Sequence, residues 1–246
     1  MDYPVFKEEM KSSYTILIPD MLPIHFKLII NILKKYGYHV ELLQTSTRAV
    51  VDEGLKNVHN DTCYPALLVI GQFINALKSG KYDVSRTALM LTQTGGGCRA
   101  SNYIHLLRKA LKKEFPQVPV ISLNLSGLEK GSGLSLTLPL LIKVVYAVFY
   151  GDLLMSLYNQ CKPYEIHSGE SESVREKWQE KLTTIFDKRE FIKCKKYCRM
   201  ILEDFDKIER TKEKKIRVGI VGEIYVKYSP LANNHLEEFL LSEGCE

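Results

Sequence analysis

Thr87-Ala-Leu-Met-Leu-Thr-Gln-Thr-Gly-Gly-Gly-Cys-Arg-Ala-Ser-Asn-Tyr103 is the stretch whose reading decides the fold. Thr87 to Thr92 is apolar with Thr at both ends, which suits a buried strand. Gln93 to Cys98 is a glycine-rich turn, and Ala100 to Lys113 spaces its apolar residues as an amphipathic helix does. Strand, glycine turn and helix together make the βα unit of a parallel sheet.

The same unit recurs upstream and downstream. Tyr14 to Asp20 predicts a strand ending at Pro19. Ile24 to Tyr36 predicts a helix, with Ile24, Leu28, Ile29, Ile32 and Leu33 on one stripe and Gly37 in the position that stops helices. Tyr38 to Leu43 predicts a second strand, and Thr47 to Leu55 a short helix. Asn57-Val-His-Asn-Asp-Thr-Cys-Tyr-Pro65 is a loop by composition. Pro65 opens a helix that runs to about Leu77 and stops at Ser79-Gly80. Val118 to Leu123 predicts a fourth strand, and Thr137 to Tyr158 a long helix. The expected class is α/β, with a flavodoxin- or Rossmann-like parallel sheet lobe over residues 13–165.

Residues 170–215 differ in kind. They hold 14 Lys/Arg and 11 Asp/Glu around Trp178, Leu182, Ile185, Phe186, Phe191, Met200, Ile201 and Phe205, which predicts a pair of amphipathic helices with a solvated outer face. The expected charged helical segment spans 166–215. Ile216-Arg-Val-Gly-Ile-Val-Gly-Glu223 then predicts a buried strand, followed by a helix from about Asn234 to Glu243. One strand and one helix do not make a sheet. Residues 216–246 therefore read as the first βα unit of an incomplete second lobe, to be completed by the rest of that lobe, or with its strand joining a sheet supplied by the first lobe or by a partner subunit.

Composition narrows the class of function. With 45% apolar and 26% charged residues the chain is ordinary for a globular protein, which argues against disorder. A net charge of +5 spread over mixed signs does not point to nucleic acid. Asp2, Glu8 and Glu9 replace the basic start and apolar core of a secretory signal. The longest apolar stretch, Leu134 to Tyr150, is interrupted by Pro139 and Lys143 and is shorter than the roughly 20 residues a membrane span needs. A cytoplasmic protein without membrane contact is expected. In that setting the six cysteines are free thiols or ligands rather than a disulfide framework.

Open parallel sheets bind ligands beyond the carboxyl ends of their strands. Cys98 and Cys63 both fall there, each just before a helix. The partial positive charge of a helix N-terminus favours a thiolate, and glycine nests offer backbone donors to an anionic cluster. Gly95, Gly96 and Gly97 let the backbone approach such a core closely. Arg99 beside them, and Asn124 and Ser126 in Ser122-Leu-Asn-Leu-Ser-Gly127, are further candidates to line the pocket. The alternatives are packing for the cysteines and plain turn formation for Asn124 and Ser126. No Lys-Ser or Lys-Thr follows the glycines, so the phosphate-loop pattern is missing. Cys194 and Cys198, four apart on a helix, suggest zinc but lack a second pair at suitable spacing. Cys98 and His105 share a helix face but lack an orienting third group for nucleophilic catalysis. No residue is assigned as catalytic.

Asn60-Asp-Thr-Cys-Tyr-Pro65, Gln93-Thr-Gly-Gly-Gly-Cys-Arg-Ala-Ser-Asn-Tyr103, Val120-Ile-Ser-Leu-Asn-Leu-Ser-Gly127 and Val218-Gly-Ile-Val-Gly-Glu223 resemble the C-terminal region of acyl-CoA dehydratase activase-related proteins, a region similar to the subunits of 2-hydroxyacyl-CoA dehydratases. The resemblance covers nearly the whole chain, and Thr-Gly-Gly-Gly-Cys-Arg is its most specific part. It implies two flavodoxin-like lobes with a [4Fe–4S] cluster between them, held by three cysteines. It also implies an ATP-dependent activator protein that donates one electron, and removal of water from a 2-hydroxyacyl-CoA through a ketyl radical. By motif match, Cys63 and Cys98 take two of the ligand positions. The third comes from the second lobe, at a position that Cys245 does not match. The resemblance thus implies an iron–sulfur electron-transfer or dehydratase-like component; the alternative is a non-catalytic binding or assembly module that docks to a larger partner.

Overall fold

The computed structural model describes residues 3–59, 61–93, 102–124 and 134–246. Four strands, β1 (Thr15–Pro19), β2 (His39–Leu43), β3 (Thr87–Gln93) and β4 (Val120–Asn124), form one sheet in the order β2-β1-β3-β4. Every pairing is parallel. The chain passes from β1 through α1 (Pro23–Lys35) to β2, then through α2 (Arg48–Asn57) and α3 (Tyr64–Lys78) to β3, and through α4 (Tyr103–Glu114) to β4. This is the α/β parallel-sheet class expected from the alternation of strand and helix patterns.

Packing sorts the chain into two units, Met1–Met21 with Tyr36–Leu136, and Leu22–Lys35 with Thr137–Glu246. The first is built around the sheet. Ile16, Leu17, Val40, Ala88, Leu89, Met90, Val120 and Ile121 are buried on the strands. Twelve of the fifteen residues of α3 are buried, and among them Gln72 alone has a polar side chain. A helix this enclosed requires close neighbours, and α2 supplies one. A Cβ at Gly71 would lie 2.1 Å from the Val50 carbonyl oxygen, and one at Gly54 would lie 2.4 Å from that of Leu67. The two glycines let the α2 and α3 backbones touch where any side chain would separate them.

The second unit is helical. Besides α1 it contains α5 (Leu138–Cys161), α6 (Glu170–Asp187) and α7 (Cys194–Asp206). Leu28, Tyr150, Leu154, Trp178, Leu182, Phe186, Phe191, Ile201 and Phe205 form its core. Tyr150 packs edge-on to Phe186, and its hydroxyl donates to the Phe191 carbonyl at 2.9 Å. The α1–α5 contact closes on Gly151, where a Cβ would stand 2.5 Å from the His25 ring, and buried His25 reaches Asp152 at 2.8 Å. Ahead of α6, the Glu165 carboxylate accepts from the Gly169 and Ser171 amides at 2.7 and 2.8 Å and from Lys162 at 2.7 Å. Burial alone raises its pKa, but these donors outweigh burial and bring it down to about 2.

Two expectations are corrected here. The apolar stretch from Leu134 is not cut at Pro139: Pro139 lies in the first turn of a 24-residue helix, where a missing N–H is no loss. By length and composition that helix, extended to Tyr164, is sufficient to cross a membrane, with 28% of its apolar window buried. The run Ile216–Glu223, expected as a buried strand, lies in no sheet. It forms one parallel bridge, between Ile216 and Cys245, with Val218 donating to Glu246 and Glu246 to Ile216 at 2.8 Å each. Ile216 is 73% and Val221 91% exposed, because no further strand among the described residues pairs with the run. Short helices α8 (Ile224–Tyr228), α9 (Pro230–Asn233) and α10 (Leu236–Ser242) follow it.

Candidate functional site

The sheet order places its switch point between β1, which leads toward β2, and β3, which leads away from it. The carboxyl rim around this point is where a parallel sheet binds ligands. Asp20 follows β1, Gln44 and Thr45 follow β2, and Cys63 precedes α3. Gln93 ends β3 in register with Asn124 at the end of β4. Tyr103 opens α4.

Cys63 is the N-cap residue of α3, with extended backbone and Pro65 in the first turn. Its carbonyl accepts from the amides of Ala66 and Leu67 at 3.1 and 3.3 Å, while its thiol makes no capping bond. The half-buried sulfur instead meets the Tyr103 hydroxyl at 2.8 Å. This contact ties the N-terminus of α3 to the N-terminus of α4. Tyr103 stands five residues beyond Cys98 in sequence. Cys98, Gly95, Gly96, Gly97, Arg99 and Ser126 lie outside the described residues. Asn124 sits on the rim by its backbone register.

Sequence reading did not single out three residues that the fold brings to or beside this rim. One is Tyr103. The other two, Asp20 and Gln72, meet through a single atom. The Leu43 carbonyl oxygen accepts from the Asp20 amide at 3.3 Å and from Gln72 Nε2 at 3.0 Å, and Gln72 also donates to the Thr45 carbonyl at 3.0 Å. Both side chains are buried, and each keeps an oxygen, Asp20 Oδ1 and Gln72 Oε1, without a hydrogen-bond partner. Burial pushes the Asp20 carboxyl up to about 6 against the opposing effect of hydrogen bonds from Gln44 and the Met21 amide. A carboxyl poised near neutrality at the ligand-binding rim of a parallel sheet is a feature that functional sites use. Its signals in the sequence were a lone Asp directly after a strand and a Gln inside the apolar run 66–74 of a helix.

The remaining cysteines stand in the helical unit. Cys161 is buried, 3.6 Å from the Arg210 guanidinium, and burial pushes its thiol up. Cys194 lies 3.6 Å from the Tyr150 hydroxyl, and burial raises the Cys198 thiol one turn further on. Cys245 is half-exposed beside Ile216. Among the described residues no three His, Cys, Asp or Glu side chains converge as a metal site.

Compared with models of protein families, with curated proteins and with solved structures, the chain gives no match.

Proposed function

We propose that this chain is a [4Fe–4S]-binding electron-transfer or dehydratase-like component in which Cys63 and Cys98 supply two of the cluster's sulfur ligands. The observation that carries this reading is the Cys63–Tyr103 contact, which sets an uncapped thiol at a helix N-terminus against the first residue of the helix that follows the Gly-Gly-Gly-Cys segment. Cys63 fits a cluster ligand. It is part-exposed, it lies where helix amides favour anionic sulfur, and Tyr103 offers a hydroxyl donor to a thiolate. Buried Cys161 does not fit. The described residues contribute one such sulfur, so the remaining ligands would come from Cys98 and from a second lobe or partner subunit. A bound cluster would supply one-electron chemistry. Within the chain, Tyr103 would orient and stabilise the Cys63 sulfur, and Asp20 would hold or release a proton at the same rim. An ATP-dependent activator protein as electron donor and an acyl-CoA as substrate follow from the sequence resemblance.

Anaerobic purification tests this reading. The wild-type chain should be brown, with visible sulfur-to-iron charge-transfer absorption. Cys98→Ala should lose that absorption and Cys194→Ala should keep it. Colourless wild-type protein that stays colourless after reconstitution with iron and sulfide sinks the proposal.

A second reading, a binding or assembly module, draws on the exposed Ile216–Val221 run and its one parallel bridge to Cys245. Such an edge accepts a further strand from a partner. An iron-free chain that binds no acyl-CoA would leave this reading in place of the first.

A further inference from the structure

α5 carries two apolar faces, and the fold uses one. Leu140, Ala147, Tyr150, Gly151 and Leu154 are buried within the helical unit. Leu138, Leu141, Ile142, Val145, Val148 and Phe149 are exposed, at 70% for Leu138 and 67% for Val145. They recur at intervals of three and four, so they line one straight stripe along more than three turns of helix. The stripe holds no charge and stops at Asp152, whose side chain is 65% exposed.

We infer that this stripe is a homodimer interface, in which α5 packs antiparallel against α5 of a second copy of this chain. The inference is independent of the cluster reading. The repeat is the one by which helices pack ridges into grooves. An antiparallel two-fold centred between Ile142 and Val145 sets Ile142 of one copy against Val145 of the other. It sets Leu138 against Phe149 and leaves both Asp152 carboxylates in water. At ordinary side-chain areas the exposed stripe offers roughly 600 Å2 per copy, so a pair buries at most about 1,200 Å2 of it, the lower end of what a stable specific interface requires. A patch of that size is large for an unpartnered surface. An identical apolar partner also needs no complementary charge, and the stripe provides none. A bilayer is the poorer occupant. The opposite side of α5, with Tyr150 and Leu154, packs within its own helical unit, so lipid would reach only one flank of the helix.

Analytical ultracentrifugation of the full chain over a micromolar concentration series tests this. The wild type should show a monomer–dimer equilibrium. Val145→Glu, and independently Leu138→Glu in the first turn, should weaken association at least a hundredfold. Circular dichroism should hold, and Tm should match that of the wild type at dilutions where the wild type is monomeric, because both side chains are exposed in the monomer. Ile192→Glu, at another exposed apolar position in the same unit, should dimerise like the wild type. A wild type that is monomeric throughout, or a Val145→Glu chain that dimerises as tightly, overturns the inference. So does a chain that is monomeric in buffer and floats with phosphatidylcholine or phosphatidylglycerol vesicles only while Val145 is intact.

Discussion

The sheet unit and the helical unit treat the same raw materials differently. Each holds an apolar run of strand-forming composition. Thr87–Gln93 becomes β3, bonded to β1 on one side and β4 on the other, with Ala88, Leu89 and Met90 buried. Ile216–Val221 joins no strand, with only Ile216 bridged, and Val221 is exposed. Each unit also holds a buried carboxylate. Asp20 keeps one oxygen without a partner and is pushed up to about 6. Glu165 receives two amides and an ammonium and falls to about 2. Composition sets what a segment is able to do, and the neighbours it finds set which outcome is realised. A buried acid supplied with donors acts as a structural fastener, whereas one short of donors is a proton-holding group.

Substitutions break this comparison in a definite order. Leu89→Ala removes a fully buried side chain from the central strand pair and should cost about 3 kcal/mol of unfolding free energy in urea titration. Glu165→Gln should cost about 2 kcal/mol at pH 7. The native pKa of Glu165 lies below its ordinary 4.5, so its contribution is complete above about 4.5 and is lost as pH falls toward 2. Wild type and variant should therefore converge in stability across that acid window. Asp20→Asn should act in the opposite direction. With a native pKa raised from 3.8 to about 6, Asp20 favours folding only while protonated, and that contribution fades as pH rises from about 4 through 6. The asparagine variant should match wild type near pH 4 and exceed it by up to about 3 kcal/mol at pH 7 in thermal unfolding. Val221→Ala, in the unpaired run, should change stability by less than about 0.5 kcal/mol. If Val221→Ala cost as much as Leu89→Ala, the run would be buried in solution and the contrast between the two segments would fail.

The parallel sheet was legible in the sequence because each strand is a short apolar run closed by a turn residue and followed by helical spacing, as at Thr87–Thr92 and its three glycines. Pro65 and Gly80 marked the ends of α3 because proline suits the first turn and glycine the exit. The strand expected at Ile216 failed for the opposite reason. Its residues are correct for a strand, but a strand also needs partners, and those are not a property of the run itself. The site divides in the same way. The rim position of Cys63 follows from its place before a proline-opened helix. Its contact with Tyr103, forty residues on, exists only once α3 and α4 have packed. The raised pKa of Asp20 likewise depends on how deeply the finished rim buries it, against the lowering effect of Gln44 just after β2.

Iron and acid-labile sulfide, measured in anaerobically isolated chain and in the Cys63→Ala, Cys98→Ala double variant, test the central assignment most directly. The account predicts matched iron and sulfide in the wild type and near-total loss of both in the double variant, with the circular dichroism spectrum unchanged. Equal iron in the two proteins would contradict it.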